Sequence, residues 1–262
     1  MNTAKVLVIV TWLFAGYANA QIYRAAEKGD WAQVKELLQA QPKLINAPND
    51  GHAGETLLHV ACASAPIDIV GFLIDKGSAV NAADKYGTRP LHVAVEAETN
   101  AVISLLIAKG ADVNATDKYG STPLHLAVRK GRGAIINILI AGGAKVNTCM
   151  KFDVWDGWTP LLLAANADNL PIAELLISKG ATVNIGNKEG FTPLHIAAQR
   201  GNVRLVKLLL KNKANVNAKT SEGTTPMDFA KDGGYDVCVD TLLKHGAKEG
   251  KPPREEEKPT EF

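Results

Sequence analysis

Apolar positions between Asp117 and Asn147 fall into two short stripes at helical spacing, separated by polar residues and a glycine. Leu124, Ala127 and Val128 mark one face of a first helix. Thr122 is a good N-cap for it, and Pro123 suits the first turn, where its missing N–H would have had no partner. Gly131 ends this helix. Ile135, Ile136, Leu139 and Ile140 mark a second one, which Gly143 is placed to close in a left-handed cap. Ala144-Lys145-Val146-Asn147 then leads out to the next turn. Two helices this short cannot bury their apolar faces alone, so the pattern predicts a stack of similar pairs with one continuous core.

The pattern recurs. Gly54, Gly87, Gly120, Gly157, Gly190 and Gly223 are separated by 33, 33, 37, 33 and 33 residues, and each leads into a variant of one phrase. The variants are Thr56-Leu57-Leu58-His59, Arg89-Pro90-Leu91-His92, Thr122-Pro123-Leu124-His125, Thr159-Pro160-Leu161-Leu162, Thr192-Pro193-Leu194-His195 and Thr225-Pro226-Met227-Asp228. Ala94, Ala127, Ala164 and Ala197 share one position, where a small side chain lets successive helices approach. The departures carry information. Arg89 lacks the capping hydroxyl, at a cost of about 1 kcal/mol. Met227-Asp228 polarises a last copy that has no further neighbour. Lys213 stands where other copies place the capping glycine, so its backbone is either strained or differently turned.

The period and the Thr-Pro-Leu-His-x-Ala phrase resemble the ankyrin repeat. The resemblance covers about 50–248 as six repeats, near 50–82, 83–115, 116–148, 149–185, 186–218 and 219–248. A divergent N-terminal capping repeat at 21–49 precedes them, built around Ala25-Ala26-Glu27-Lys28-Gly29 and Val34-Lys35-Glu36-Leu37-Leu38. It implies an all-α solenoid of helix-turn-helix units joined by short hairpin-like turns. It also implies that His59, His92, His125 and His195 are structural residues tying neighbouring turns together. Histidines spread one per layer do not converge on a point, as the ligands of one zinc must.

The resemblance further places partner contacts on the turn tips and on the exposed side of each first helix. The tips are Lys85, Tyr86, Lys118, Tyr119, Trp155, Asp156, Trp158, Lys188, Glu189 and Phe191; the helix positions are Glu96, Arg129, Lys130, Asn166, Gln199 and Arg200. Tyr, Trp and Arg are enriched in binding hot spots. In a chain with only 6% aromatic residues, rings at successive turns point to recognition. The one long interval adds to this. Four extra residues within Cys149-Met150-Lys151-Phe152-Asp153-Val154-Trp155 lengthen a single turn, and insertions in repeat arrays map to loops, often on the binding face. The expected contacts are therefore Tyr86, Tyr119, Phe152, Trp155, Trp158, Phe191, Arg129 and Arg200, centred on this loop. For Phe191, packing on its own turn is an equal alternative.

The ends bound the compartment. Lys5 followed by the apolar run Val6–Phe14 and by Ala18-Asn19-Ala20 reads as a signal peptide over 1–20, cleaved before Gln21. The run is short for a membrane span, which takes about 20 residues; an uncleaved anchor is the alternative. Residues 249–262 are charged and Pro-rich, which predicts a disordered tail. The formal charge is +2, and loss of Lys5 lowers it by one, which argues against nucleic acid as a partner. Three cysteines do not make a disulfide scaffold.

No nucleophile elbow, zinc-protease helix or phosphate loop occurs, so no catalytic, metal or cofactor residue is assigned and the chain is read as non-enzymatic. The leading expectation is a monomeric, exported protein, periplasmic by preference. It would bind a protein partner and shield, inhibit or scaffold it. A secreted host-directed effector or toxin component is the alternative, and an enzyme with a site near Cys149 a further one. Asn114-Ala115-Thr116 is a glycosylation sequon that would matter only in a eukaryote.

Overall fold

A computed structural model describes residues 16–49, 51–152, 156–248 and 250. Among them every regular element is helical. Residues 16–27 form α1, followed by α2 (Trp31–Ala40) and a 3-10 turn (Pro42–Asn46). Six further pairs follow: α3 (Leu57–Ser64) and α4 (Ile67–Asp75); α5 (Pro90–Glu96) and α6 (Asn100–Ala108); α7 (Pro123–Arg129) and α8 (Gly133–Ala141); α9 (Pro160–Asn166) and α10 (Leu170–Ser178); α11 (Pro193–Gln199) and α12 (Val203–Lys211); α13 (Pro226–Asp232) and α14 (Asp236–Lys244). The tail expected over 249–262 lies outside the described residues except for Gly250, as do residues 1–15 of the expected leader. No helix among the described residues is long and apolar enough to cross a membrane.

The chain divides into two compact units, one of residues up to Ala127 with Ala134–Ala144, the other of Val128–Gly133 with residues from Lys145 on. In the first, α3 packs on α5 and α4 on α6; in the second, α9, α11 and α13 pack in series, as do α10, α12 and α14. Helices of 7 to 9 residues are marginal in isolation. Burial against neighbours stabilises them, at roughly 1.5–3 kcal/mol for each fully buried Leu or Ile. Ala61, Ala94, Ala127, Ala164, Ala197 and Ala230 are each 0% exposed, which is the close approach their size permits. Cys62 is buried at the position after Ala61, and burial pushes its thiol up to about 12.

The six periodic glycines share one backbone state, with φ between 70° and 84°. Gly87, Gly157 and Gly190 have a second reason to lack a side chain: a Cβ on Gly87 would stand 3.2 Å from Asp117 Cα. A Cβ on Gly157 would stand 2.7 Å from the Lys188 backbone nitrogen, and one on Gly190 would stand 3.0 Å from Thr220 Cα. These turns press directly on the next. Lys213 is left-handed too, at φ 67°, so of the two alternatives the chain takes the strained one.

Arg89 has no hydroxyl to cap α5, and its guanidinium instead donates to Asn81 O at 2.8 Å. At the end of the array the expected polarisation is only half met. Met227 stays in the core at 1% exposure, while on α14 Val237 and Leu243 are 62% and 50% exposed.

Candidate functional site

Each regular turn is built by one side chain. Asp84 Oδ1 accepts from the amides of Tyr86 and Thr88, both at 2.8 Å, and the Asp84 amide donates to Thr88 O at 3.0 Å. Asp117 repeats this with Tyr119 and Ser121, and Asn187 with Glu189 and Phe191. A carboxylate or amide oxygen folded back on the chain in this way fixes a tight turn. It leaves the two tip residues nothing to do in the turn itself. The turns are then joined: the Lys85 amide donates to Ala53 O at 2.8 Å, Lys118 to Tyr86 O at 2.7 Å, Lys188 to Asp156 O at 3.1 Å and Ser221 to Glu189 O at 2.8 Å.

The histidines add a second tie. The Thr56 amide donates to His59 Nδ1 at 3.0 Å, which makes Nδ1 the acceptor, and Nε2–H then donates to Thr88 O at 3.0 Å in the following turn. His92 bonds Arg89 N and Ser121 O in the same way, and His195 bonds Thr192 N and Thr224 O. His125 Nδ1 accepts from the Thr122 amide at 3.2 Å. This arrangement needs a neutral ring. Burial holds the His59, His92 and His195 imidazoles below their ordinary value, although their carbonyl acceptors pull the other way. Asp228 shows the same logic with the polarity reversed. Its carboxylate accepts from Thr225 N and Thr225 Oγ1 at 2.8 Å each, and also from the Gly250 amide at 3.3 Å. Where a carbonyl follows, the chain uses a donor; where an amide follows, it uses an acceptor.

A third ladder escaped the sequence reading. Asn81 Nδ2 donates to Gly110 O at 2.9 Å while its Oδ1 accepts from Asp112 N at 2.8 Å. Asn46, Asn147, Asn184 and Asn217 each make the same pair of bonds to the segment about one repeat onward. The Val-Asn dipeptide that recurs at Val80, Val113, Val146, Val183 and Val216 was its visible signal. Asn114 Nδ2 donates to Gly143 O at 3.1 Å, so the sequon amide is already engaged in the fold.

This is a recurring helix pair and left-handed glycine turn, joined to the next copy by backbone, histidine and asparagine ties, with the histidine tie made by His59, His92 and His195. Family comparison matches ankyrin repeats (3 copies) to residues 22–117 and 100–187, and ankyrin repeats (many copies) to residues 176–230. The chain belongs to the ankyrin-repeat family. Among solved structures it is similar to the ankyrin repeat domain of Bcl-3, a unique member of the IkappaB protein family. The TM-score is 0.68 and the identity 28%, over 75% of this chain and 89% of that one. Comparison with curated proteins finds no match. Ankyrin repeats are protein-interaction modules, and the residues left over by this repeat's architecture are the candidates for interaction.

Those residues divide by environment. Tyr86 and Tyr119 stand on their turns 49% and 43% exposed, and Lys118 Nζ lies between them, 4.1 Å from the Tyr86 ring centre and 4.7 Å from that of Tyr119. Arg129 and Arg200 are exposed at the ends of α7 and α11, and Arg200 donates to Asn166 Oδ1 at 2.8 Å. Phe191 is half-buried, its ring 5.4 Å from Phe229 and 6.0 Å from His195, so the packing alternative describes much of its surface.

The long turn keeps the hairpin closure of the others. The Met150 amide donates to Trp158 O and the Gly157 amide to Met150 O, both at 2.9 Å. The added residues therefore lie between Met150 and Gly157, and Cys149 is outside the loop they extend. Met150 takes the place of the turn-building Asp and is 7% exposed, whereas Phe152 is 42% exposed. Trp158 is half-buried. Trp155, the centre of the expected interface, lies outside the described residues with Asp153 and Val154. Cys149 Sγ donates to Asn147 O at 3.8 Å, a carbonyl that cannot take its proton as a base would.

One cleft of about 270 Å³ opens beside α1, lined by Asn19, Tyr23, Arg24, Glu27, Asn49 and His52 among others. Part of its wall is Gly16, Asn19 and Ala20, which belong to the expected leader.

Proposed function

We propose that this ankyrin-repeat protein is exported and acts by holding a protein partner on its turn tips and first-helix surface, so as to shield, inhibit or scaffold it. The observation that carries the reading is the exposure of Tyr86, Tyr119 and Phe152 at turns closed by backbone bonds and, in the first two, by an Asp side chain. Large rings that remain this exposed are what a hot spot needs before its partner arrives. Export, preferably to a periplasm, rests on the leader-like residues 1–20.

The test joins both parts. The full chain, expressed in a bacterium with a periplasm, should be recovered from that compartment with Gln21 at its amino terminus. Used as bait against periplasmic extract, it should retain a specific protein that Tyr86→Ala with Tyr119→Ala loses, each substitution costing about 2 kcal/mol. Recovery from the cytoplasm with residues 1–20 intact would overturn the export reading. Equal capture by the double variant would overturn the surface.

A further inference from the structure

The turn tips carry a second regularity: Lys85, Lys118, Lys151 and Lys188 all occupy the residue after the turn-building position. For Lys188 and Lys118, what the ammonium meets follows the residue before the glycine of the preceding turn. Before Lys188 that residue is Asp156, and the two form an ion pair at 3.4 Å. Before Lys118 it is Tyr86, and the ammonium rests on the Tyr86 and Tyr119 rings instead. Among the described residues no carboxylate comes within ion-pair distance of it. Asp84 and Asp117, the turn-building acids of these two tips, each point an oxygen into their own turn.

Resting on the reading of the tips as a binding surface, we infer that the Tyr86–Lys118–Tyr119 cluster recognises a carboxylate presented by an acidic segment of the partner protein. The fourth and fifth turns display the same interaction made within the chain. Lys188 reaches the Asp156 carboxylate one turn back, whereas Lys118 has Tyr86 at that place and Tyr119 beside it in its own turn. The rings pre-position the ammonium, and an arriving carboxylate can keep it on the rings while neutralising it. A neighbouring apolar side chain of the partner would lie on the exposed ring faces. Nucleic acid fits less well, because the cluster offers one ammonium in a chain of formal charge +2.

Ring signals of Tyr86 and Tyr119 in the full-length protein, followed by NMR at about 50 mM salt, read the site directly. The probes are acetylated hexaglutamate, acetylated hexaglutamine and a six-residue oligothymidylate. Hexaglutamate should shift both rings saturably, and Lys118→Gln should weaken it about tenfold while leaving the fold intact. Lys188→Gln should leave the response unchanged. No saturable shift with hexaglutamate, or an undiminished one in Lys118→Gln, overturns the inference. So does a stronger response to the oligothymidylate. Equal shifts with hexaglutamine would overturn the carboxylate preference alone, because the tips would then still bind a peptide. Loss of the binding reading itself shows separately, as unchanged partner capture by the Tyr86→Ala, Tyr119→Ala variant.

Discussion

In the fifth repeat, His195 accepts from the Thr192 amide and donates to Thr224 O, so that a polar ring joins a helix start to the turn that follows. In the fourth, Leu162 occupies the same place at 0% exposure, and its own amide donates to Thr159 Oγ1 at 3.2 Å. The turns differ in the same direction. Asn187 folds its amide oxygen back on Glu189 and Phe191, whereas Met150 contributes a buried thioether chain and no acceptor. Twice the fourth repeat has replaced a polar tie with apolar packing. The cradle that limits a turn to four residues needs an oxygen at its first position, and the turn without that oxygen is the one that grew. The missing short-range constraint and the added loop length thus coincide, at a place where a loop can lengthen without touching the helices.

The comparison can be broken hardest at the glycines. Gly157, Gly190 and Gly223 share a left-handed backbone, but a Cβ would meet the next turn at 2.7 Å, at 3.0 Å and not within 4 Å, respectively. Alanine at Gly223 should cost about 1 kcal/mol, the conformational penalty alone. Alanine at Gly157 should add overpacking against the backbone of Asn187 and Lys188, for a total of about 2–5 kcal/mol, with Gly190→Ala between them. Urea unfolding of the three variants gives the order. If Gly157→Ala is the mildest, the long turn is not pressed on its neighbour and its closure does not follow the regular plan.

The histidine tie comes next in size. His195→Leu copies the fourth repeat into the fifth. It should cost about 1–3 kcal/mol at neutral pH, because Thr224 O and the Thr192 amide lose a buried partner. Its pH dependence is the sharper readout. His59, His92 and His195 have depressed values in the native state, so below about pH 6.5 the unfolded chain takes up protons that the native chain refuses. Stability is therefore full above that pH and falls as the pH drops, by up to about 1.4 kcal/mol per pH unit for each such ring. His195→Leu should lower this slope in denaturation measured from pH 7 to pH 5. An unchanged slope would mean that His195 takes up its proton without losing its bonds.

Much of this was legible because the ankyrin repeat states its backbone requirements residue by residue. A glycine every 33 residues is a left-handed turn repeated, and Thr-Pro before a Leu is a helix start. One histidine per layer cannot converge on a metal, and the ankyrin resemblance implies the kind of bond that His59, His92 and His195 make to the following turn. The asparagine ladder was as regular and went unread, since Asn beside a turn is ordinary in sequence and its two partners lie about one repeat onward. The Asp228–Gly250 bond was unreadable for a different reason: it depends on which end of a peptide group the chain presents after the last helix. The tip residues are legible only as leftovers. Periodicity says which rings the architecture does not need, but whether a ring such as Phe191 then finds a neighbour like Phe229 depends on packing across the following repeat.

The smallest effect should be a gain. Gly180 closes α10 of the fourth repeat at φ 92°, and Lys213 closes α12 of the fifth at φ 67°. The flanking bonds are alike: Asn147 Nδ2 donates to Gly180 O at 3.2 Å, and Asn184 Nδ2 to Lys213 O at 3.1 Å. The carbonyl is held in place from outside, so the left-handed backbone persists although a Cβ disfavours it. Lys213→Gly relieves that strain and also frees the unfolded chain, two contributions of opposite sign. A left-handed Lys costs roughly 1–2 kcal/mol, and the added unfolded-state freedom returns about 0.4–1 kcal/mol. The net should be a stabilisation of about 0.5–1 kcal/mol, read as a higher urea midpoint with the slope of unfolding unchanged. A destabilised variant would show instead that the Lys213 side chain makes contacts worth more than its backbone strain, and that the fifth repeat holds its helix end by a different balance from the fourth.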